Sequence, residues 1–186
     1  MIAVVLVVVL VVAIVAGVYL ATRDNGNTNP STSPTPTSNP SATSNPSTSS
    51  VGANVAGASS LQFTVSVTNS SGGSVGSYTY YFKNAGTSSQ MVRIDFTDPS
   101  SGSFVYIVNS ATQPVLVKSG GQWTDLSSTY ASQYNTWNSA FLGYKNSLTS
   151  WSGTGDWTYT DQNGDTVKIT NISVNPTLSD SLFQQS

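Results

Sequence analysis

Three textures of hydrophobic and polar positions follow one another along the chain, and each predicts a different kind of structure. Residues 2–21 are apolar without interruption by charge. Residues 22–58 hold almost no apolar side chain, and from residue 59 onward short alternating runs take over, separated by Gly, Asn, Asp and Pro. Alternation of this kind places successive side chains on opposite faces of an extended strand, so the third region reads as antiparallel sheet. Leu61, Phe63, Val65 and Val67 share one face of a first strand, and Tyr78, Tyr80 and Phe82 share one face of a second. The turn-rich Asn69-Ser-Ser-Gly-Gly between them predicts a hairpin. Val92, Ile94 and Phe96 continue the pattern, followed by a turn at Asp98-Pro99 and strands over Phe104–Val108 and Val115–Val117.

Between Ser127 and Trp151 the period changes. Tyr130, Tyr134, Trp137, Phe141, Tyr144, Leu148 and Trp151 recur at alternating spacings of four and three, which aligns them along one stripe of a helix. Ser127 or Ser128 is placed to cap its start, and Gly153 follows its end. The opposite, wetted face is expected to carry Ser132, Gln133, Asn135, Ser139 and Asn146. Two closing strands, Asp156–Thr160 and Thr166–Val174, flank Asn163-Gly164, a pair suited to a type I′ turn. The apolar parity of the last strand moves from Val167 and Ile169 to Ile172 and Val174, predicting a bulge near Thr170 or Asn171. The fold class expected is α+β, mainly antiparallel β: a curved sheet or unclosed barrel of about seven strands around one aromatic-faced helix.

The run from Ile2 to Ala21 would span about 30 Å as a helix, the thickness of a bilayer's hydrocarbon core. It exceeds the h-region of a cleaved signal peptide, the competing reading, and no A-x-A site follows it, so a retained transmembrane helix is favoured. The absence of Lys or Arg before Ile2 fits a start lying further upstream, and Arg23 beside Asp24 orients the span weakly. The chain thus divides into an anchor over residues 1–21, a disordered linker over 22–58 and a β domain over 59–186. The linker's prolines, Pro30, Pro34, Pro36, Pro40 and Pro46, bias it toward extended polyproline II. It suits an O-glycosylated surface stalk, with an unmodified tether as the alternative.

Composition narrows the chemistry. The chain has no His, no Cys and no Glu; Lys and Arg total 6, and 8 Asp leave a net charge of −2. General acid–base catalysis would fall to Asp, Lys or Tyr alone, and the aspartates lie mainly at strand ends and turns, so a non-enzymatic protein without a cofactor is expected. So sparse a positive charge argues against a nucleic-acid partner. Asp161-Gln-Asn163-Gly-Asp165 resembles the start of a calcium loop, but its glycine is misplaced and Ile172 stands where a bidentate carboxylate is needed; a hairpin turn is preferred. Sequons at Asn69 and Asn171 are candidate glycosylation sites and suit an exported, C-terminal extracytoplasmic domain on a single-pass anchor in the cell membrane.

The stretches Met91-Val-Arg93-Ile-Asp95-Phe96, Phe104-Val-Tyr106-Ile-Val-Asn109, Gly121-Gln-Trp123-Thr-Asp-Leu126 and Val174-Asn-Pro176-Thr-Leu178-Ser-Asp180-Ser-Leu182-Phe183 resemble the LolA-type lipoprotein-carrier superfamily, in particular its membrane-tethered archaeal relatives. The likeness runs from about Ser59 to Phe183. It implies an unclosed β-barrel with a helical lid over an apolar cavity that holds acyl chains. Arg93 matches the family's strand arginine, which contributes to lid contacts and ligand handling; its alternative is a strand charge facing Asp95. The retained anchor, the missing lipobox cysteine, the shorter domain and the scarcity of docking charge depart from the family. They weigh against shuttling lipoproteins between two membranes and leave a tethered lipid-binding or envelope role. Tyr80, Phe82, Arg93, Tyr106, Tyr130, Tyr134, Trp137 and Phe141 are the candidate ligand-binding residues for a lipid or acylated ligand. The other function class kept open is a non-catalytic adhesion or envelope-structural surface module, in which the aromatic stripe is plain core.

Overall fold

A computed structural model describes residues 51–161 and 163–186. The expected transmembrane helix and most of the expected linker lie outside them. Among the described residues no helix is long and apolar enough to cross a membrane.

Eight strands form one antiparallel sheet: β1 (Ser60–Thr68), β2 (Ser74–Lys83), β3 (Met91–Asp98), β4 (Gly102–Asn109), β5 (Val115–Ser119), β6 (Gln122–Asp125), β7 (Trp157–Thr160) and β8 (Thr166–Val174). Their spatial order is β6-β5-β4-β3-β2-β1-β8-β7, so β6 and β7 are the two edges and the sheet is unclosed. The alternation read from sequence becomes continuous rows across it. Leu61 stands opposite Phe82, which stands opposite Val92, which stands opposite Val108. A parallel row runs through Phe63, Tyr80, Ile94, Tyr106 and Val117. All of these side chains are buried. Gly76 belongs to the same face, and a Cβ there would lie 3.0 Å from the Phe96 ring, so a side chain at this position would have to push that ring aside.

The predicted bulge is present. The register between β1 and β8 shifts opposite Phe63, and Asn171 takes the left-handed conformation with φ 53°, which lets both Ile169 and Val174 face β1's apolar partners. The eighth strand was not expected. β6 is only four residues long and joins β5 through Gly120 and Gly121, both at positive φ, the two-residue turn that a tight hairpin favours. The β7–β8 loop departs from the expected type I′ turn. Asp161 Oδ1 accepts from the backbone of Asn163 and Asp165, and the Asp161 amide donates to the Asp165 carbonyl. The aspartate thus organises a longer loop.

The chain from Ser127 to Ser150 is helical throughout: a 3-10 turn at Ser127–Thr129, an α-helix at Tyr130–Ser147 and a second 3-10 turn at Leu148–Ser150. No serine caps its start. Ser127 Oγ donates to Asp125 and accepts the Val115 amide, tying the helix entrance to β5. Upstream, Val51–Ala56 forms a short helix, named α1, and the 18-residue helix Tyr130–Ser147 is α2. Val55 and Ala58 are buried in the main core, so the folded unit begins before Ser59, inside the stretch read as linker. A Val among Gly, Ala and Asn gives no visible period, which is why the sequence hid it.

The second face of the sheet is also covered. Residues after β8 turn at Asn175, whose Oδ1 accepts the Ser59 amide, and pass over that face to a 3-10 turn at Asp180–Phe183. Leu178 and Phe183 bury themselves against Ile107, with Tyr81, Met91, Val105, Leu116 and Trp123 around them. Lys83 holds this strap by donating to the Leu178 carbonyl at 2.9 Å and pairing with Asp180.

Candidate functional site

Helix α2 lies on the aromatic face because its stripe has nowhere else to be buried. The Phe141 ring stacks on Phe82 with centroids 3.5 Å apart and lies 6.4 Å from Phe63. Tyr144 reaches Tyr80 at 5.5 Å and Phe63 at 6.1 Å, and Trp137 meets Tyr106 at 5.0 Å in a tilted pair. Further along the sheet Tyr78 stacks on Phe96 at 4.5 Å, and Phe96 contacts Phe104 at 6.0 Å. The helix therefore runs from the β5 side, where its entrance is fixed, across β4 and β2 to β1, and Leu148 and Trp151 join the same core.

Five of the eight residues expected to bind a ligand, Tyr80, Phe82, Tyr106, Trp137 and Phe141, come together in this layer, each at most 1 % exposed. Tyr130 and Tyr134 stack on each other at 5.5 Å in the first turns of α2 and are half-buried, at the margin of the layer. Arg93 does not join them. It points from β3 to the opposite face, where Nε donates to Asp95 Oδ1 at 2.7 Å and Nη1 to the Leu182 carbonyl at 3.0 Å. The two faces of a strand alternate, and its neighbours Val92 and Ile94 already occupy the helix side. Arg93 is thus placed to secure the C-terminal strap and is separated by the sheet from the aromatic layer. Of the candidate glycosylation sites, Asn69 uses its side-chain oxygen to accept from Ser71 and Gly73 within the β1–β2 turn, and Asn171 is exposed at the bulge.

Sequence reasoning assigned Gln133 to the wet face, and that was an error of chemistry rather than of geometry. Gln133 precedes Trp137 by four residues, about 40° around the helix, well within the stripe. It is 7 % exposed. Gln90 was missed as well: its Oε1 accepts the Gly86 amide and its Nε2 donates to Asn138 Oδ1, fastening the β2–β3 loop to the helix. Spacing could have found Gln133; nothing local signals Gln90.

The electrostatics of the layer are those of neutral groups in an apolar medium. Burial pushes the Tyr106 phenol up to about 12, and burial followed by the Asp98 charge does the same to Tyr78. Burial first, and then the neighbouring Tyr144 phenol, raises Tyr80 well above its usual value. These hydroxyls remain protonated at any physiological pH and can serve only as neutral hydrogen-bonding groups. Among the described residues there is no group of three or more His, Cys or Asp side chains suited to a metal ion. No protein-family model matches the chain, and no curated protein matches it.

Proposed function

We propose that this domain binds a lipid or other hydrophobic ligand between helix α2 and the aromatic face of its sheet, outside the cell, while the N-terminal segment anchors it in the membrane. The observation that carries the reading is the helix itself: an aromatic-striped helix closes over an unclosed sheet, with two half-buried tyrosines at the margin where its first turns begin. Enclosed apolar surfaces with a few oriented polar atoms are the usual form of a hydrophobic-ligand site. The likeness to LolA-type carriers supports the same reading, although Arg93 lies on the face away from the helix, and a role for it in ligand handling is set aside. The long uncharged run at residues 2–21 and the polar stalk support the membrane-tethered, extracytoplasmic placement.

A second reading, a non-catalytic adhesion or envelope-structural module, is favoured by one specific feature, the close stacking of Phe141 on Phe82, which is what a fully packed core would show. The two are separated by releasing the domain from intact cells with protease and weighing the fragment by native mass spectrometry without detergent. Co-purifying lipid on a fragment that begins near residue 51 is the result expected. A ligand-free fragment that binds no fluorescent fatty-acid or neutral-lipid probe would leave the structural module as the better account, and full protection from protease would reverse the topology.

A further inference from the structure

Among the described residues, four polar atoms in the helix–sheet layer are buried without a hydrogen-bond partner: Trp157 Nε1 on the edge strand β7, and Tyr106 Oη, Gln133 Oε1 and Trp137 Nε1. The last three belong to neighbouring residues. The Tyr106 and Trp137 rings are 5.0 Å apart, and Gln133 and Trp137 are one helical turn apart on one face, which places their Cβ atoms about 5–6 Å from each other. Folded proteins seldom leave even one such group unpaired, because it has lost its water and gained nothing in return. These neighbouring residues carry one donor, one acceptor and one hydroxyl that can be either.

We infer that Tyr106, Gln133 and Trp137 form a head-group site for an uncharged, hydroxyl-bearing lipid, such as a glycerol esterified or etherified to one long chain. The inference rests on the ligand-binding reading given above and names the class of ligand. An indole N–H can only donate and an amide oxygen can only accept, so a group that satisfies both must itself accept and donate; a hydroxyl does so, and a vicinal diol can also reach the tyrosine. The head group carries no charge because nothing in the layer would balance one. Arg93 and Lys83 are committed to the strap on the other face, Lys118 lies with Trp123 and Ser186 on that same face, Lys168 pairs with Asp156, and Lys145 sits over Phe141 about three turns beyond Gln133. The nearby strand residues of β5, Val115 and Val117, are apolar. A carboxylate or phosphate buried here would be unpaired, which is far costlier than burying a hydroxyl with partners. Gln133, less enclosed than the other two, lies toward the margin marked by Tyr130 and Tyr134.

The test uses the full chain in phosphatidylcholine vesicles with a photoactivatable monoacylglycerol as the probe. Cross-links are expected in the peptide carrying Gln133 and Trp137, competed about tenfold better by unlabelled monoacylglycerol than by a fatty acid, a lysophospholipid or an alkane of equal length. Gln133→Met and Tyr106→Phe remove one polar atom each at nearly constant volume. Each should lower labelling by about tenfold, the loss expected of one hydrogen bond to a neutral buried group, with the melting temperature unchanged or raised. If both variants melt higher and label as before, the three atoms are merely unpaired and the inference is overturned. Equal competition by the fatty acid, the lysophospholipid or the alkane would also overturn it while leaving lipid binding intact. Absence of labelling by any lipid in this peptide would remove the ligand-binding reading itself.

Discussion

Phe141→Ala asks how much of the aromatic layer is load and how much is lining. The ring is 1 % exposed, so truncation removes nearly its whole transfer contribution, about 1.5–3 kcal/mol for a fully buried phenylalanine. Two stacked partners add to this, Phe82 at 3.5 Å and Phe63 at 6.4 Å, each worth about 0.5–1.5 kcal/mol beyond area. A loss of about 3–5 kcal/mol is therefore expected, the upper part of the range applying if the sheet side does not relax into the space. Leu142, the next residue, is the natural control, since at 44 % exposure its truncation should stay within about 0.5 kcal/mol while changing the same helix. Urea denaturation of residues 51–186 followed by tryptophan fluorescence, with the slope checked for constancy, measures both. A Phe141→Ala loss below about 1.5 kcal/mol at unchanged slope would refute the packing argument and mark the ring as the wall of a space that is already loose.

Other perturbations test separate parts of the same account. Val55→Ala removes two methyl groups at a fully buried site and should cost about 2 kcal/mol, and a fragment beginning at Ser59 should melt lower than one beginning at Val51 in a thermal scan. Tyr78 and Tyr106 titrate near 12 when folded and near the usual 10 when unfolded, so their contribution is complete below pH 10 and lost as pH rises through 12; phenolate absorbance should show them ionising only with unfolding, and Tyr106→Phe should flatten the slope of stability against pH. Arg93→Gln removes the donor to the Leu182 carbonyl and should cost about 1–2 kcal/mol, with faster limited proteolysis after Val174 and unchanged lipid labelling.

What the sequence made legible followed from period. A strand with one face on a core must alternate, so β1 to β5 could be placed from Leu61, Tyr80, Ile94 and their neighbours, and α2 announced itself through the spacing of Tyr130 to Trp151. The bulge at Asn171 was legible for the same reason, as a break in parity. What stayed hidden was held by interactions without a period. β6 is too short to alternate twice, the burial of Val55 in α1 has no period around it, and the C-terminal strap is fixed by its Leu178 and Leu182 carbonyls accepting from Lys83 and Arg93, which no pattern of side chains reveals. The hydrophobic residues of the candidate site could be named because they are also core residues. Gln133 was legible too, because its angular position on the helix places it in the stripe, and only its polarity points to water.

The remaining contest, between a ligand binder and a structural module, turns on what surface is left for assembly. A sheet joins other chains most readily along its edges, where unpaired backbone groups can accept another strand. Both edges here are four residues long. β6 is bounded by Gly120-Gly121 on one side and by the 3-10 turn at Ser127 on the other; β7 is bounded by Gly153 and Gly155 at positive φ and by the Asp161 loop. Side chains along β7 alternate with exposed Thr158 and Thr160, and Asp156 pairs with Lys168 at 2.8 Å beside it. An added strand would gain only a few hydrogen bonds before its register broke. Association through faces fares no better, because the two faces of the sheet are taken by α2 and by the strap, and Leu142 is the one large apolar side chain that is exposed among the described residues. Stable protein interfaces are built around a buried apolar centre, which the surface of the described residues does not offer. Among the described residues the large apolar and aromatic side chains are turned inward, toward the layer that holds Tyr106, Gln133 and Trp137, and the ligand proposed above would have to be small enough to enter it.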